Sequence, residues 1–343
     1  MKRFFSLLLA ALMLLSLCAC GAEKSAGKVV YAMDTVMTLT AYGKDADTAL
    51  GEAEFELYRL EQLLDRFTED GEVNAINANA GKPTGVSDEL AALVALAQHI
   101  SDKTSGAFDP TIAPVMDAWG FGGSEFRVPT QPELEVLLPN VDADQILISY
   151  EDRPRITIGT MQALDLGGIA KGYAGDCVKS IFEKHGCTGV IDLGGDVTLV
   201  GRKSDGSDWR VAIKDPYDPS AFLGTLSASD CTVVTSGVYE RNFTENGVTY
   251  HHIIDPATGC PAESGLVSVT VVCADGAYAD ALSTAAFVLG IDRAAALRDA
   301  FATETPLLEL IFVTGDGHVL YSDGLDGILE PNTESGYTYE HLS

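Results

Sequence analysis

The segment 266–273 (Leu-Val-Ser-Val-Thr-Val-Val-Cys) limits the fold of this chain more than any other. It is rich in β-branched residues and carries no charge, which predicts a buried strand. An apolar pattern with helical spacing follows at 277–289, and Gly290 stands where such a helix would end. A buried strand followed directly by a helix indicates a fold that layers helices on a sheet.

The rest of the chain, 343 residues in all, shows the same mixture of patterns. Helical spacing of apolar residues predicts helices over 47–67, 89–101 (capped by Ser87), 132–138 and 172–185. Segments rich in β-branched residues predict strands over 29–42, 146–150, 155–158, 190–200, 209–213, 223–234, 250–254, 307–313 and 318–321. The expected fold class is therefore α+β: a single compact two-lobed domain with mixed sheets and flanking helices.

The charge balance excludes one class of partner. The chain has 22 Lys and Arg against 50 Asp and Glu, a formal net charge of −28. Such a protein repels phosphate backbones, so nucleic-acid binding is not expected. A small anion could still bind where a local cation, a helix N-terminus or a metal ion offsets the negative field.

The first residues are typical of a targeting signal. Lys2 and Arg3 precede an apolar run over 4–17, which is too short for a comfortable membrane span. The run ends in Leu17-Cys18-Ala19-Cys20, which resembles the lipobox of bacterial lipoproteins. An ordinary cleaved signal that contains a cysteine by chance is the alternative.

The lipobox divides the chain into three parts. Residues 1–19 are predicted to be a lipoprotein signal peptide, and 20–28 a lipidated Cys20 followed by a polar tether. Residues 29–343 form the predicted folded domain. We therefore expect a protein held by Cys20 in the lipid bilayer, at the extracytoplasmic face of the bacterial membrane.

Two short glycine motifs are typical of sites where the backbone approaches a ligand. The segment 165–173 (Asp-Leu-Gly-Gly-Ile-Ala-Lys-Gly-Tyr) places a carboxylate, a glycine pair and a lysine at the start of a predicted helix. The segment 192–196 (Asp-Leu-Gly-Gly-Asp) repeats part of it. Glycines permit close approach, and a helix N-terminus favours anions. Either motif alone could be only a turn, but their proximity favours a binding site.

The segment 251–259 (His-His-Ile-Ile-Asp-Pro-Ala-Thr-Gly) offers a candidate base at the end of a predicted strand. Histidine titrates near pH 6.5, which suits a proton acceptor at neutral pH. If the strand is regular, only one of His251 and His252 can face a given cleft. A surface histidine without a catalytic role is the alternative.

Asp280 and Thr284 lie four residues apart on the predicted helix that begins at Ala277. Side chains at this spacing share one face, so both oxygens can reach a hard cation such as Mg²⁺. An ordinary acidic residue near a helix N-terminus is the alternative. The segments 105–110 and 119–122 combine glycine with aromatic residues, which weakly favours a flat ligand.

Taken in order, these motifs are similar to those of the ApbE family, the FAD:protein FMN transferases. The similarity covers nearly the whole mature chain, at 33–35, 105–109, 165–173, 193–196, 235–237, 252–256 and 279–284. It implies that 29–343 is an extracytoplasmic, Mg²⁺-dependent flavin transferase domain. Such an enzyme splits the FAD pyrophosphate, attaches FMN through a phosphoester to a Thr or Ser hydroxyl of an acceptor protein, and releases AMP. An extracytoplasmic or membrane redox protein is the expected acceptor.

The resemblance also assigns roles to individual residues. It implies that the FAD contacts are Met33, Phe67, Ala107, Phe108, Asp109, Asp165, Lys171 and Thr258. It implies that Mg²⁺ is held by Asp280, Thr284 and the main-chain oxygen of Gly168. His252 is the expected base, and Asp255 is the second catalytic candidate. Phe67 stands where many relatives carry Tyr or Trp, so it can stack on a ring but cannot offer a hydroxyl.

Three other functions would also suit part of this sequence. A solute-binding lipoprotein would share the anchor, but it should show two similar α/β halves, which the pattern lacks. A flavin-binding electron-transfer lipoprotein would hold FAD without needing a base or a metal. A third possibility is an FAD pyrophosphatase that yields FMN and AMP.

Overall fold

A computed structural model describes residues 24–123, 125–150 and 152–342. This part of the chain contains eight α-helices and nineteen strands. The helices are α1 (Ala46–Leu64), α2 (Glu72–Ala78), α3 (Asp88–Lys103), α4 (Ala113–Trp119), α5 (Gln131–Leu137), α6 (Ala170–Lys184), α7 (Gly276–Ala294) and α8 (Leu297–Ala300). The first ten strands are β1 (Ser25–Ala32), β2 (Thr35–Tyr42), β3 (Thr84–Gly85), β4 (Leu147–Tyr150), β5 (Pro154–Thr157), β6 (Thr188–Leu193), β7 (Val197–Val200), β8 (Trp209–Lys214), β9 (Phe222–Ala228) and β10 (Thr232–Gly237). The others are β11 (Asn242–Glu245), β12 (Val248–His251), β13 (Ile254–Asp255), β14 (Cys260–Pro261), β15 (Leu266–Cys273), β16 (Leu308–Thr314), β17 (His318–Tyr321), β18 (Leu329–Pro331) and β19 (Thr338–His341).

A nine-stranded sheet forms the centre of the fold, in the order β1-β2-β6-β7-β10-β15-β16-β17-β19. Its neighbouring strands are antiparallel except for the parallel pair β17 and β19. Two three-stranded sheets, β18-β9-β8 and β3-β5-β4, and two short hairpins, β11-β12 and β13-β14, complete it. The predicted α+β fold with mixed sheets is confirmed.

The predicted buried strand is β15, and all eight of its residues are buried. Val269, Val271 and Cys273 pack in the large apolar cluster shared with the helices. Val267 and Val272 pack in a second cluster, which the β8 and β9 strands share on the opposite face of the central sheet. Because side chains of a strand alternate between its faces, β15 needs apolar residues at nearly every position.

Several predicted boundaries are confirmed by local contacts. The Ser87 side chain accepts a hydrogen bond from the backbone N of Leu90, which caps α3. Thr130 and Glu133 form a reciprocal capping box, so α5 begins at Gln131, one residue before its predicted start. Gly290 has φ of 71°, so the helical conformation of α7 is interrupted where the sequence predicts its end.

Other predictions were wrong in detail. The predicted strand 29–42 is the hairpin β1-β2, because Met33 and Asp34 adopt left-handed φ values of 48° and 57°. Its first strand begins at Ser25, inside the segment predicted as a tether. The predicted strands 190–200, 223–234 and 250–254 are each interrupted by a turn. The helices α2, α4 and α8 and the strands β3, β11, β14, β18 and β19 were not predicted.

The predicted signal peptide, Cys20 and the start of the tether lie outside the described residues. Among residues that the structure does describe, no helix combines the length and apolar character that crossing a membrane requires.

Candidate active site

The helices α6 and α7 cross at a pair of glycines. A Cβ atom at Gly172 would lie 2.0 Å from the carbonyl oxygen of Gly276, and one at Gly276 would lie 2.4 Å from that of Gly172. The backbone N of Gly172 also donates a hydrogen bond of 3.0 Å to Asp280 Oδ2. The crossing therefore brings the first glycine motif against the helix that carries Asp280 and Thr284.

Replacing Gly172 with alanine should separate the two helices, because the new Cβ has no room. We expect a lower melting temperature, with a loss of about 1–3 kcal/mol in the free energy of unfolding. Gly51 is the control, because a Cβ at this position in α1 meets no atom within 4 Å. Gly51→Ala should raise stability by about 0.5–1 kcal/mol. Equal thermal unfolding curves for the two variants would contradict this account.

The predicted metal ligands lie together. Asp280 is 4% exposed, and no hydrogen bond from the described residues engages its Oδ1. A Cβ at Gly168 would lie 3.7 Å from Thr284 Oγ1, so the threonine hydroxyl stands beside the Gly168 main chain. The three candidate ligands, a carboxylate, a hydroxyl and a nearby carbonyl, all offer oxygen atoms to a metal ion. This donor set fits a hard cation such as Mg²⁺.

Buried charges surround this donor set. Lys171 forms an ion pair with Asp196, whose side chain is 5% exposed. Burial, together with the nearby Asp280 carboxylate, raises the pKa of Asp196. Burial opposes the charge on Lys171, but the adjacent carboxylates outweigh this effect and raise its pKa. The site therefore holds more carboxylates than its single lysine can neutralise, and a further cation would stabilise it.

The predicted FAD contacts at 107–109 lie beside the Gly168 main chain. Ala107, Phe108 and Asp109 are buried, and Phe108 Cε2 lies 3.2 Å from the position of a Cβ at Gly168. The Asp109 carboxylate accepts hydrogen bonds from the backbone N of Thr111 (2.8 Å) and of Ala143 (3.1 Å). Burial raises the pKa of this carboxyl. Asp109 thus fixes the loop that presents Phe108.

Arg66 joins two predicted FAD contacts, a role that the sequence patterns did not indicate. Its Nε lies 3.1 Å from Asp165 Oδ2, and its guanidinium carbon lies 4.2 Å from the centre of the Phe67 ring. Phe67 is 58% exposed, whereas the Arg66 side chain is 8% exposed. One face of the phenyl ring therefore rests on a fixed cation, and a flat ring system could stack on the other.

The turn between β1 and β2 carries Met33. Its backbone N donates a hydrogen bond of 2.7 Å to Glu61 Oε1. The next residue, Asp34, forms an ion pair of 3.5 Å with Arg241. The carbonyl of Arg241 in turn accepts from the backbone N of His252 at 3.0 Å. These contacts connect the turn to the candidate base.

The two histidines differ in environment. The Nδ1 atom of His252 lies 3.2 Å from the Arg241 carbonyl oxygen. Because a carbonyl can only accept, Nδ1 carries the proton and Nε2 is left as an acceptor. Burial lowers the pKa of His252 to about 4. The ring of His251 instead packs edge-on against Phe287, with 5.6 Å between ring centres. As predicted, the neighbours point different ways.

Asp255 and Thr258 lie in the turn that follows His252. Asp255 Oδ1 accepts from the backbone N of Ala257 at 2.9 Å, while the exposed Thr258 accepts from that of Cys260 at 3.3 Å. Trp119 Nε1 donates to the Gly259 carbonyl at 2.7 Å, and the Phe121 ring centre lies 6.3 Å from that of His252. The aromatic segment 119–122 therefore supports the histidine loop, a contact that the sequence did not reveal.

Fold and site together define an α+β protein in which glycine turns, buried carboxylates and one paired lysine meet where α6 crosses α7. The chain belongs to the ApbE family, whose family model matches residues 33–307. It is 33% identical over 315 residues to the FAD:protein FMN transferase of Treponema pallidum, with 85% of each chain covered. It is 32% identical over 313 residues to that of Haemophilus influenzae, covering 86% of this chain and 89% of the relative.

Solved structures show the same similarity. The crystal structure of the ApbE protein of Thermotoga maritima aligns with a TM-score of 0.82 at 30% identity, covering 89% of this chain and 99% of that chain. The flavinyl transferase ApbE of Pseudomonas stutzeri, in its apo form, aligns with a TM-score of 0.78 at 29% identity, covering 89% and 97%.

Proposed function

We propose that this chain is an FAD:protein FMN transferase. Its Thr or Ser acceptor belongs to an extracytoplasmic or membrane redox protein. The observation that carries the proposal is the convergence of Asp280, Thr284, Gly168 and Lys171 at one helix crossing, within a fold whose relatives are named for this activity. Such a site suits a pyrophosphate, which needs cations in a protein with a net charge of −28.

Different residues are assigned to FAD binding, metal binding and proton transfer. Phe67 offers a ring face for a flat part of FAD, Phe108 packs beside the Gly168 main chain, and Lys171 contributes positive charge near the pyrophosphate. Asp280, Thr284 and Gly168 would hold Mg²⁺, which when bound stabilises negative charge on phosphoryl oxygens. The acceptor hydroxyl gives its proton to His252 Nε2. A bond forms between the hydroxyl oxygen and the FMN phosphorus, the pyrophosphate P–O bond breaks, and AMP leaves.

The reaction products distinguish a transferase from a pyrophosphatase and from a protein that only carries FAD. The protein is incubated with FAD and Mg²⁺, with and without an acceptor protein, while AMP and covalently bound flavin are measured. A transferase yields equal amounts of AMP and protein-bound flavin, and a pyrophosphatase yields AMP and free FMN without the acceptor. A protein that only carries FAD yields neither product.

The lipobox predicts that the chain is anchored through Cys20 at the outer face of the membrane. We expect cells that are fed an alkyne analogue of palmitate to label the wild-type protein but not Cys20→Ala. Cys18→Ala is the matched control, because Cys18 lies within the predicted signal peptide. Labelling that persists in Cys20→Ala, or is lost in Cys18→Ala, would refute this assignment.

A further inference from the structure

The guanidinium of Arg66 pairs with carboxylates from two distant parts of the chain. Its Nη2 lies 2.5 Å from Asp117 Oδ1 and its Nη1 lies 3.1 Å from Asp117 Oδ2, so two parallel hydrogen bonds join it to α4. Its Nε lies 3.1 Å from Oδ2 of Asp165, where the first glycine motif begins. A planar guanidinium can make all of these contacts at once, whereas an ammonium group cannot.

The aromatic segment 119–122 packs against this ion pair. A Cβ at Gly122 would lie 2.1 Å from Arg66 Nη2 and 2.3 Å from Asp117 Oδ1. A larger residue would therefore push the two partners apart. The glycine at the end of this segment thus has a structural reason, which is to leave room for the Arg66 side chain.

The contact with Asp165 extends to the proposed metal ligand. While Asp165 Oδ2 faces Arg66, its Oδ1 accepts a hydrogen bond of 2.8 Å from the backbone N of Gly167. The next residue is Gly168, whose main chain is the proposed Mg²⁺ ligand. Because both carboxylate oxygens are engaged, Arg66 helps to fix the conformation of the glycine turn.

The Phe67 ring depends on the same guanidinium. The guanidinium carbon of Arg66 lies over the ring, 4.2 Å from its centre. The Arg66 nitrogens that face Asp117 and Asp165 fix the guanidinium, which in turn supports one face of the ring. The other support of this loop is local, since the backbone N of Phe67 donates to Asp65 Oδ1 at 3.0 Å.

We propose that Arg66 is a positioning residue for FAD binding. Paired with Asp117, it holds the Phe67 ring and the Asp165 carboxylate in the arrangement that receives FAD, while its own side chain stays enclosed. The proposal rests on the transferase function given above. It makes FAD affinity depend on Asp117, a residue to which the family resemblance assigns no role.

FAD titrations of the full-length protein in the presence of Mg²⁺, followed by flavin fluorescence, test this proposal without an acceptor protein. Asp117→Asn leaves Phe67 and Asp165 in place but removes one of the charges that fix the guanidinium. We expect it to raise the Kd for FAD about tenfold. Arg66→Lys should raise the Kd at least as much, because lysine cannot replace the planar, bidentate group. In transfer assays, both variants should raise the KM for FAD more than they lower kcat.

A double-mutant cycle tests whether Arg66 acts through the ring. Arg66→Lys should weaken FAD binding less in a Phe67→Leu background than in the wild type, because the ring that it supports is already absent. If the two substitutions raised the Kd by independent factors, Arg66 would not act through the Phe67 ring, and the proposal would fail.

Arg298 provides the matched control, since it also pairs with two carboxylates. It lies 3.1 Å from Glu309 and 2.8 Å from Asp323, and neither residue is a predicted FAD contact. Arg298→Lys and Asp323→Asn should lower the melting temperature but leave the Kd for FAD unchanged. An equal loss of FAD affinity in both pairs of variants would indicate a general loosening of the fold and overturn the proposal.

Unchanged FAD affinity in Asp117→Asn and Arg66→Lys would also overturn it, whether or not these variants lose stability. A wild-type protein that binds no FAD would instead defeat the transferase function on which the proposal rests.

Discussion

Replacing Asp280 with asparagine should lower Mg²⁺-dependent FMN transfer by about a thousandfold, which corresponds to about 4 kcal/mol of transition-state stabilisation. Asparagine keeps an oxygen that can accept from the Gly172 backbone N, so the helix crossing is preserved. It removes the negative charge that a hard cation requires. The measurement is AMP release at saturating FAD over a range of Mg²⁺ concentrations.

A second carboxylate at the same helix pair provides the control. Asp176 accepts hydrogen bonds from the backbone N of Gly276 and of Ala277, at 2.8 and 3.0 Å. Asp176→Asn should therefore reduce stability but leave the Mg²⁺ dependence of turnover unchanged. Thr284→Ala should weaken turnover about tenfold, and Thr284→Ser should restore it, because the hydroxyl is the ligand. Full activity of Asp280→Asn at limiting Mg²⁺ would disprove the metal assignment.

Local patterns predicted most elements of the fold because their causes are local. The burial of β15 follows from an uncharged run of β-branched residues, and the caps at Ser87 and Thr130 follow from side chains three residues from their partners. The hairpin turn at Met33 and Asp34 was missed, because two successive residues other than glycine seldom adopt the left-handed conformation. Tertiary contacts hold that turn, among them the hydrogen bond to Glu61.

The candidate site also combines features that the sequence predicted with features that only tertiary contacts produce. The resemblance to the ApbE family implied that Gly168 lies near Asp280 and Thr284, and the glycine crossing of α6 and α7 brings these segments together. Arg66 was not predicted, because its partners Asp117 and Asp165 are far away in sequence. The support that Trp119 gives to the Gly259 turn spans 140 residues. Contacts of this kind leave no periodic or short-range signal, so sequence patterns cannot reveal them.

Replacing His252 with asparagine should leave FAD binding nearly unchanged and lower FMN transfer by about 10²–10⁴-fold, the usual contribution of a general base. The Arg241 carbonyl holds the His252 ring with Nε2 as its acceptor. Asparagine is polar but cannot take up the proton. FAD affinity and single-turnover transfer separate the two effects. His251→Asn is the neighbouring control, and it should change stability more than transfer because its ring packs on Phe287.

The pH dependence gives the second test of His252. Burial lowers its pKa to about 4, so the ring is neutral at pH 7 and can accept a proton. As far as this group is concerned, transfer should stay constant from about pH 6 to pH 8 and fall only as the pH drops through about 4. A solvent-exposed histidine would place the midpoint near 6.5. The His252→Asn variant should lack this acidic limb, and its residual activity should rise at high pH as hydroxide deprotonates the acceptor hydroxyl.

If His251→Asn were the inactive variant, the base would be misassigned by one residue. If both variants kept their activity, Asp255, whose carboxylate lies in the same turn, would become the candidate base.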